Sequence, residues 1–300
     1  MNNARWAPWA AAAVGVQVGA AIVATRSVVG ELGPASLACL RYLLALACLL
    51  PFAWAARGPA SRIARRDLPA VMLLGVGQFG LLIALLNIGL QRVDAATAAL
   101  LFASLPLLTL LVATALGHER LSWRKAIGVV LTLAGVALAL GPAALAGVFP
   151  GDTQALASLH WGQAAVLASA LCGAVCSVLY RPYLRRYPAL PVSVWAMAAA
   201  VLFLAVWAGY EGLATRIVAV SSAGWATIGF IGVSSGVGYF LWLWALRHAP
   251  ASRVTLFLSL SPPTAALLGA CWLHEALALR LWLALLLVAG GVMVAQERRP

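Results

Sequence analysis

Charged residues are scarce in this sequence of 300 amino acids. They make up 9% of the chain, whereas 64% of the residues are hydrophobic and the mean hydropathy is +0.97. A soluble domain carries about 25% charged residues, and a soluble protein of this size could not bury so much apolar surface. The scarcity excludes an ordinary soluble protein and indicates that the chain folds in a lipid bilayer.

Acidic residues are the rarest charged class, and their positions exclude several kinds of chemistry. The apolar runs hold no paired carboxylates, Ser-His-Asp sets or metal-binding clusters, so we expect no enzyme, no metal and no cofactor. A proton or sodium relay usually needs an intramembrane carboxylate. We therefore expect a substrate to move down its gradient, or by exchange, without tight proton coupling. The eight carboxylates lie in loops or at helix ends: Glu31, Asp67, Asp94, Glu119, Asp152, Glu211, Glu275 and Glu297.

Cysteine gives no sign of a structural or metal site. Cys172 and Cys176 share one helix face, but no histidine or carboxylate joins them, so packing explains them better than metal binding. The five cysteines all fall in apolar runs and predict no disulfide framework: Cys39, Cys48, Cys172, Cys176 and Cys271.

The sequence does contain a series of long apolar runs. A membrane-spanning helix needs about 20 mostly apolar residues, and none of the runs shows the alternation of an outer-membrane strand. The sequence therefore predicts an all-α polytopic membrane protein with about ten transmembrane helices. The runs lie near residues 7–25, 35–56, 69–90, 95–116, 126–148, 161–180, 190–210, 223–246, 251–273 and 281–296.

The basic residues are placed asymmetrically. With the N-terminus in the cytoplasm, fifteen Lys or Arg residues fall on the cytoplasmic side and four on the other, while Arg41 lies inside a run. This bias follows the positive-inside rule. It predicts a multi-pass protein of the cell inner membrane with both termini in the cytoplasm. The net charge of +12 is then a consequence of topology and indicates no nucleic-acid partner.

One motif occurs twice in the chain. Residues 117–124 read GHERLSWR and residues 273–280 read LHEALALR, a spacing of 156 positions at which a proline (106 and 262) and a glycine (135 and 291) also recur. Five runs per half is an odd number, so the second half would enter the membrane the opposite way up, as in inverted-repeat transporters. We expect a first repeat over residues 1–148, an external linker over 149–160 and a second, inverted repeat over 161–300.

Arg41 is the only charged residue that lies well inside an apolar run. It is a candidate anchor for a carboxylate or phosphate group. The alternatives are that its side chain reaches the outer membrane interface or caps the carbonyl groups of a neighbouring helix.

Prolines interrupt two of the runs. Pro106 and Pro262 stand in the middle of the fourth and ninth runs, and Pro263 follows directly. Each removes a helical N–H group, so the pattern fits a hinge beside a transport pathway and fits a packing kink equally well. Ser259 precedes the last two prolines by three and four residues and shares their face.

Polar and aromatic side chains mark candidate pathway helices. Gln17 and Gln78 lie in the middle of apolar runs and need partners there, whereas Asn87 is half a turn from Gln78, lies nearer the helix end and is assigned a structural role. Ser235, Tyr239 and Trp242 form one stripe of the eighth run. That stripe could stack on a flat substrate or serve ordinary helix packing.

These features together resemble the EamA-type members of the drug/metabolite transporter superfamily. The resemblance rests on residues 32–45, 94–136 and 250–292, where a mid-helix proline is followed by a glutamate loop and a glycine-bearing final helix. It implies ten helices in two inverted halves, and export of small metabolites, often amino acids. The small multidrug relatives use a glutamate in their first helix, which this chain lacks, so drug efflux by that mechanism is not expected. The implied central cavity maps onto Gln17, Gln78, Phe79, Tyr239, Trp242 and Ser259.

We therefore expect a transporter that exports amino acids or similar small metabolites by alternating access. Aromatic or other neutral amino acids are favoured because the candidate cavity residues are uncharged, amide-bearing or aromatic. Its partners would be a small-molecule substrate and the lipid bilayer. The alternatives are efflux of drugs, nucleosides or other metabolites, and a membrane scaffold without transport; the broken helices and buried amides argue against the scaffold.

Overall fold

The computed structural model describes residues 6–55, 63–118, 122–140, 153–250, 254–255, 257–275 and 279–295. Within these ranges the regular structure is helical, and no β-strand occurs. A bilayer core offers no water to the backbone, so N–H and C=O groups must be satisfied by other protein groups, which the α-helix achieves within one segment. The predicted all-α fold is confirmed.

The helices are numbered in chain order. Short helices of other types are a π-helical segment at Val76–Leu81 and 3₁₀ turns at Ile217–Ala219 and Phe257–Leu260. The α-helices are α1 (Ala7–Val28), α2 (Pro34–Ala55), α3 (Leu68–Gly75), α4 (Leu82–Leu90), α5 (Ala95–Phe102), α6 (Leu105–Ala115), α7 (Trp123–Leu140), α8 (Thr153–Leu179), α9 (Arg181–Arg186), α10 (Ala189–Tyr210), α11 (Leu213–Arg216), α12 (Ser222–His248), α13 (Ser261–Leu273) and α14 (Leu279–Ala295).

Seven helical segments of the described chain are long and apolar enough to cross a membrane. A further apolar stretch, Leu281–Gly291, is shorter. The protein is therefore a multi-pass membrane protein, while the count of ten spans stays a prediction. The seven segments are Ala7–Val28, Pro34–Ala55, Leu68–Leu90, Ala95–Ala115, Leu159–Arg186, Ala189–Tyr210 and Ser222–His248.

The two predicted proline breaks are present. Residues 103 and 104 form a turn between α5 and α6, and a 3₁₀ turn precedes α13. Pro106 and Pro262 each stand in the first turn of the helix after the break, where a missing N–H costs little. The carbonyl of Leu258, which Pro262 cannot serve, accepts a hydrogen bond from Ser261 Oγ at 2.7 Å.

The helices form two bundles, and each bundle takes two spans from each half of the chain. In bundle A, α1 and α2 pack on α12, and α1 also packs on α13. In bundle B, α8 packs on α4, α5 and α6, and α10 packs on α3. A shift of 156 positions carries α1 onto α8, α2 onto α10, α3–α4 onto α12 and α5–α6 onto the region of α13. The two bundles are thus equivalent under the sequence repeat.

Helices α7 and α14 pack on each other more extensively than on either bundle. Their close approach depends on two glycines that are equivalent under the repeat. A Cβ on Gly135 would lie 2.8 Å from the carbonyl oxygen of Ala284, and one on Gly291 would lie 2.6 Å from that of Gly128. The packing therefore has the two-fold character that the repeat predicts.

Candidate functional site

A cavity of about 500 Å³ lies between bundles A and B. Span Ala95–Ala115, which contributes to the cavity, is the most enclosed of the seven. In its apolar 18-residue stretch 83% of the residues are buried, compared with 44–56% in the other spans. The walls are mostly apolar, with a few polar groups. The lining residues are Val14, Val18, Ala21, Ile22, Thr25, Arg41, Gln78, Leu82, Ile83, Leu86, Phe102, Leu105, Tyr239, Trp242 and Leu258.

The cavity follows the internal repeat. Ile83 and Tyr239, Leu86 and Trp242, and Phe102 and Leu258 are each separated by 156 positions, and all six line it. The two halves differ in chemistry at these points, because aliphatic residues of α4 correspond to aromatic residues of α12. A cavity on the axis of an internal repeat is the usual substrate position in transporters of this architecture.

Arg41 lines the cavity from α2 and is 4% exposed. Its Nε donates to Ser235 Oγ on α12 at 2.6 Å, and Ser235 Oγ in turn donates to the carbonyl of Ile231. None of the described carboxylates forms an ion pair with it. Its hydrogen-bond partner among the described residues is thus a side chain of a neighbouring helix, and its role as an anion anchor stays a prediction.

Gln78 reaches the cavity from the π-helical segment of the third span. It is 4% exposed, and its Oε1 has no hydrogen-bond partner among the described residues. Thr25 Oγ1 on α1 and Trp242 Nε1 on α12 also have no hydrogen-bond partner among the described residues. Buried polar atoms are normally paired. Three of the nine buried side-chain atoms without a partner among the described residues therefore lie around this one cavity.

Phe79 lies behind the cavity wall and does not line it. It is fully buried, with its ring centroid 4.7 Å from that of Tyr239 and 5.6 Å from that of Tyr42. The two tyrosine hydroxyls share a hydrogen bond of 2.7 Å. Because Phe79 belongs to bundle B and both tyrosines to bundle A, this aromatic cluster joins the bundles and holds Tyr239 in place.

The remaining predicted residues lie around the cavity. Gln17 donates to Ser234 Oγ at 3.3 Å between α1 and α12, and is not part of the cavity lining. Pro106 is the second residue of α6 and directly follows the lining residue Leu105. Pro262 and Pro263 are the second and third residues of α13, after the lining residue Leu258. The side chain of Ser259 lies outside the described part of the structure, and the roles of all these residues stay predictions.

Polar links join the two bundles at one end of the molecule, which we call the glutamate face after Glu31, Glu211 and Glu275. Glu211, after α10, accepts from the N–H groups of Ala35 and Ser36 at 3.0 and 2.8 Å, and from Ser36 Oγ at 2.8 Å. Glu275, after α13, accepts from Ala95 N at 3.1 Å. Both carboxylates cap helix N-termini, where negative charge is favoured. Glu275 belongs to the repeated motif; Glu119, its equivalent in the first half, lies outside the described residues.

Basic and amide side chains add to the links at the glutamate face. Arg26 Nη1 donates to the carbonyl of Leu90 at 2.7 Å, and its Nε lies 3.8 Å from Glu275. Asn87 Nδ2 donates to the carbonyl of Pro34 at 2.8 Å, which gives Asn87 the structural role expected of it. The contacts of Arg26 with Leu90 and of Asn87 with Pro34 connect bundle A with bundle B, whereas Arg26 and Glu275 both belong to bundle A. The bundles are therefore joined at this end.

The opposite end has a different arrangement in the described residues. Tyr187 donates to Asp67 Oδ2 at 2.7 Å, and Arg186 Nη1 lies 3.4 Å from the same oxygen. The hydrogen bond from Tyr187 holds the pKa of Asp67 below its usual value. Both partners belong to bundle B, so this contact stabilises one bundle and does not join the two.

Sequence reasoning missed three features of the site. Thr25 gave no signal, because threonine is unremarkable in an apolar helix. Tyr42 follows the conspicuous Arg41 but was not connected with Tyr239, 197 positions away. Ser235 was noticed only as part of a stripe, whereas its contact is the guanidinium of Arg41.

Comparison with known proteins gives the family. The profile of the EamA-like transporter family matches residues 5–141 and, a second time, residues 160–295. A solved crystal structure covers 97% of this chain and 96% of its own, with a TM-score of 0.67 and 21% identity, which shows a shared fold.

Two curated relatives extend the comparison. A probable terminal-alkyne amino-acid exporter of Streptantibioticus cattleyicolor is 33% identical over 213 residues, which are 70% of this chain and 67% of that protein. An uncharacterized transporter of Archaeoglobus fulgidus is 24% identical over 94% of this chain and 95% of its own. With its family match covering both halves, this chain belongs to the EamA-like transporter family and is a transporter, not an enzyme.

Proposed function

We propose that this transporter exports amino acids, aromatic or other neutral ones above all, across the cell inner membrane by alternating access. The observation that carries the proposal is the cavity between the bundles, whose apolar wall holds unpaired polar atoms of Thr25, Gln78 and Trp242. The relative named as a probable amino-acid exporter supports the substrate class.

The direction of the cycle follows from the charge asymmetry. The positive-inside rule puts the glutamate face outside the cell and both termini in the cytoplasm. The described conformation, with its bundles joined at the glutamate face, then corresponds to the state closed to the outside. Export would require the contacts of Glu211 and Glu275 to break while the bundles close at the other end.

Transport would proceed without proton coupling. The described carboxylates Glu31, Asp67, Asp94, Glu211 and Glu275 all lie in turns or at helix ends, and none lines the cavity. A proton carried with the substrate needs a titratable group that both faces reach in turn. The substrate's own gradient, or exchange against another substrate, would supply the driving force.

The test is uptake of a panel of labelled amino acids into proteoliposomes with no pH or sodium gradient. Saturable uptake of a few neutral members is expected. Gln78→Ala and Tyr239→Ala should lower uptake at unchanged folded yield, because both side chains line the cavity. Gln163→Ala is the matched control, since Gln163 is also a buried amide but lies outside the cavity lining.

Each alternative has its own outcome in this assay. Uptake only with an imposed proton gradient would contradict the absence of coupling. Uptake of nucleosides or drugs in place of amino acids would move the substrate class. Wild-type rates in both Gln78→Ala and Tyr239→Ala would refute the assignment of the site.

A further inference from the structure

The cavity has a charge that the described residues do not balance. Arg41 carries a guanidinium that stays charged in proteins, and no described carboxylate pairs with it. An unpaired buried charge costs several kcal/mol. Ser235 occupies Nε alone, so the two terminal nitrogens have no hydrogen-bond partner among the described residues. They remain the natural donors for an anion in the cavity.

The unpaired polar atoms of the cavity differ in whether they donate or accept hydrogen bonds, and this difference follows the bundle to which they belong. Arg41 and Trp242 offer only donors, and both belong to bundle A. Gln78 Oε1 is an acceptor without a partner, and it belongs to bundle B. Thr25 Oγ1 can serve either way. The cavity therefore presents donors from bundle A and an acceptor from bundle B.

We propose that Arg41 and Trp242 bind the carboxylate of the substrate while Gln78 Oε1 accepts a hydrogen bond from its ammonium group. The ligand class is the α-amino acid zwitterion with an apolar side chain, which would lie against the aliphatic wall formed by residues such as Val18 and Leu86. The assignment rests on the proposed function for its substrate, but it concerns the binding site alone.

This arrangement selects by charge. A guanidinium facing one carboxylate neutralises it, whereas an amine without a carboxylate would meet the same cation unscreened in an apolar cavity. Cationic amines should therefore be excluded. A carboxylic acid without an amino group should still bind, but without the contact to Gln78. Because the zwitterion touches both bundles, its binding would also connect them through the cavity.

The experiment measures equilibrium binding to the purified full-length chain in detergent. The probes are L-phenylalanine, 2-phenylethylamine, 3-phenylpropanoate and phenyl phosphate, and a second series built on L-leucine, 3-methylbutylamine and 4-methylpentanoate. For the wild type we expect the amino acid to bind best, the acid more weakly and the amine not at all. Loss of a hydrogen bond to a charged group corresponds to about a 10- to 100-fold change in Kd.

The variants separate a binding role from a structural one. Arg41→Gln should weaken the amino acid and the plain acid by the same factor. Gln78→Leu should weaken the amino acid and leave the plain acid unchanged. Trp242→Phe keeps the ring and removes the N–H, so it should weaken both acids even if Arg41→Gln fails to fold. Arg186→Gln, which changes a cation whose contact with Asp67 lies within bundle B, is the control and should bind as the wild type does.

Three outcomes would overturn the proposal. These are equal binding of the amine and the amino acid, unchanged binding of both acids in Arg41→Gln and Trp242→Phe, and tighter binding of phenyl phosphate than of any carboxylate. The last would make the cavity a phosphate site. Arg41-dependent binding without any uptake in proteoliposomes would contradict the transport proposal and leave this one standing. Uptake at an unchanged rate in Arg41→Gln would contradict this proposal and leave the transport proposal standing.

Discussion

Gly15 allows the backbone of α1 to lie in direct contact with the backbone around Phe257. A Cβ at this position would overlap the carbonyl oxygen of Phe257, in the 3₁₀ turn before α13. One turn later, a Cβ on Gly19 would lie 2.5 Å from the carbonyl oxygen of Ser261. This G-x-x-x-G pair of α1 therefore fits against the broken ninth span, as such pairs do in membrane helices.

Replacing Gly15 by alanine tests this contact. We expect a loss of about 1–3 kcal/mol in stability, because the opposing atom is backbone and cannot rotate away. The measurement is the thermal or denaturant unfolding of the purified protein in detergent.

Gly229→Ala is the control for Gly15→Ala. Gly229 lies in the middle of α12 with nothing within 4 Å of a built Cβ, so alanine should be neutral or slightly stabilising there. Equal effects at the two positions would contradict the close-contact explanation.

Residue by residue, the sequence located the site better than it located the partners. Gln78, Tyr239 and Trp242 do line one cavity, because polar and aromatic groups in the middle of an apolar helix stand out locally. Gln17 stood out equally, yet it lies between α1 and α12 against Ser234. A helical period tells which side a residue faces but not which helix packs there, so the partner 217 positions away was unpredictable.

At the level of elements, the breaks within the spans bear most directly on the cavity. The break between α5 and α6 places Phe102 and Leu105 on either side of it, both in the cavity wall. Pro106 prevents a continuous helix through this point. A change of helix direction here would therefore alter the cavity directly.

Pro106→Ala should lower turnover while keeping or raising stability. Restoring the N–H lets residues 102–106 continue as an α-helix, and stabilising one state by about 1 kcal/mol changes a population ratio about fivefold. The measurement is the exchange rate of labelled substrate in proteoliposomes, with unfolding recorded in parallel.

Pro51→Ala is the matched control for the break. Pro51 also lies inside a helix, α2, but is exposed, ten residues after the lining residue Arg41 and outside the cavity lining itself. Its replacement should leave the exchange rate unchanged. A wild-type rate for Pro106→Ala would make the break a packing feature.

The proline breaks were predictable, and the π-helical segment was not. Proline lacks a backbone N–H wherever it stands, so its effect on a helix can be predicted from the local sequence alone. The π turn at Val76–Leu81 instead depends on α8 and α10, because a Cβ on Gly77 would lie 2.8 Å from Cys176 Sγ and one on Gly75 would overlap Ala196. Such turns often accompany functional sites, and here the turn carries Gln78 to the cavity.

Across the whole molecule, two glutamates make the same kind of contact with different consequences. Glu211 caps α2 from bundle B and so joins the bundles. Glu31 caps α12 through Ser221 N at 2.8 Å, but both belong to bundle A. Only the first contact has to break when the glutamate face opens.

Glu211→Ala should therefore shift the protein toward the state open at the glutamate face. A lost cap costs about 0.5–2 kcal/mol, and one to two kcal/mol corresponds to a 5- to 30-fold change in the ratio of states. The readout is the labelling rate of Ile22→Cys, a cavity-lining position on α1, by a membrane-impermeant thiol reagent in a background without the five native cysteines.

Glu31→Ala is the control, since it removes a cap of similar geometry without separating the bundles. It should lower stability and leave the labelling rate near that of the parent. Similar labelling of the two variants would mean that the glutamates only stabilise the fold.

The same assay has a pH dependence through Glu275. Burial at the closed face raises the pKa of this carboxyl above its ordinary value. A group with a higher pKa in the closed state binds a proton better there, so lowering the pH toward the ordinary glutamate value should favour the closed state. By the same sign, protonation supports the folded closed form, and this support is lost as the pH rises through the raised pKa.

We therefore expect the labelling of Ile22→Cys to fall as the pH is lowered from about 7 to about 5, beyond the loss due to thiol protonation. Glu275→Gln removes the titrating group and supplies the reference rate at each pH. Faster labelling of the parent at low pH, relative to that reference, would reverse the sign and contradict the burial of Glu275.

The shared composition of the bundles constrains how the chain is made. Bundle A needs α12 and α13, and bundle B needs α8 and α10, so neither is complete when the first half leaves the ribosome. Multidomain proteins usually fold their N-terminal unit first. Here Arg41 enters the bilayer before its hydrogen-bond partner Ser235, 194 positions later, has been synthesised. Two separately expressed halves would consequently reach the folded state only by assembling with each other.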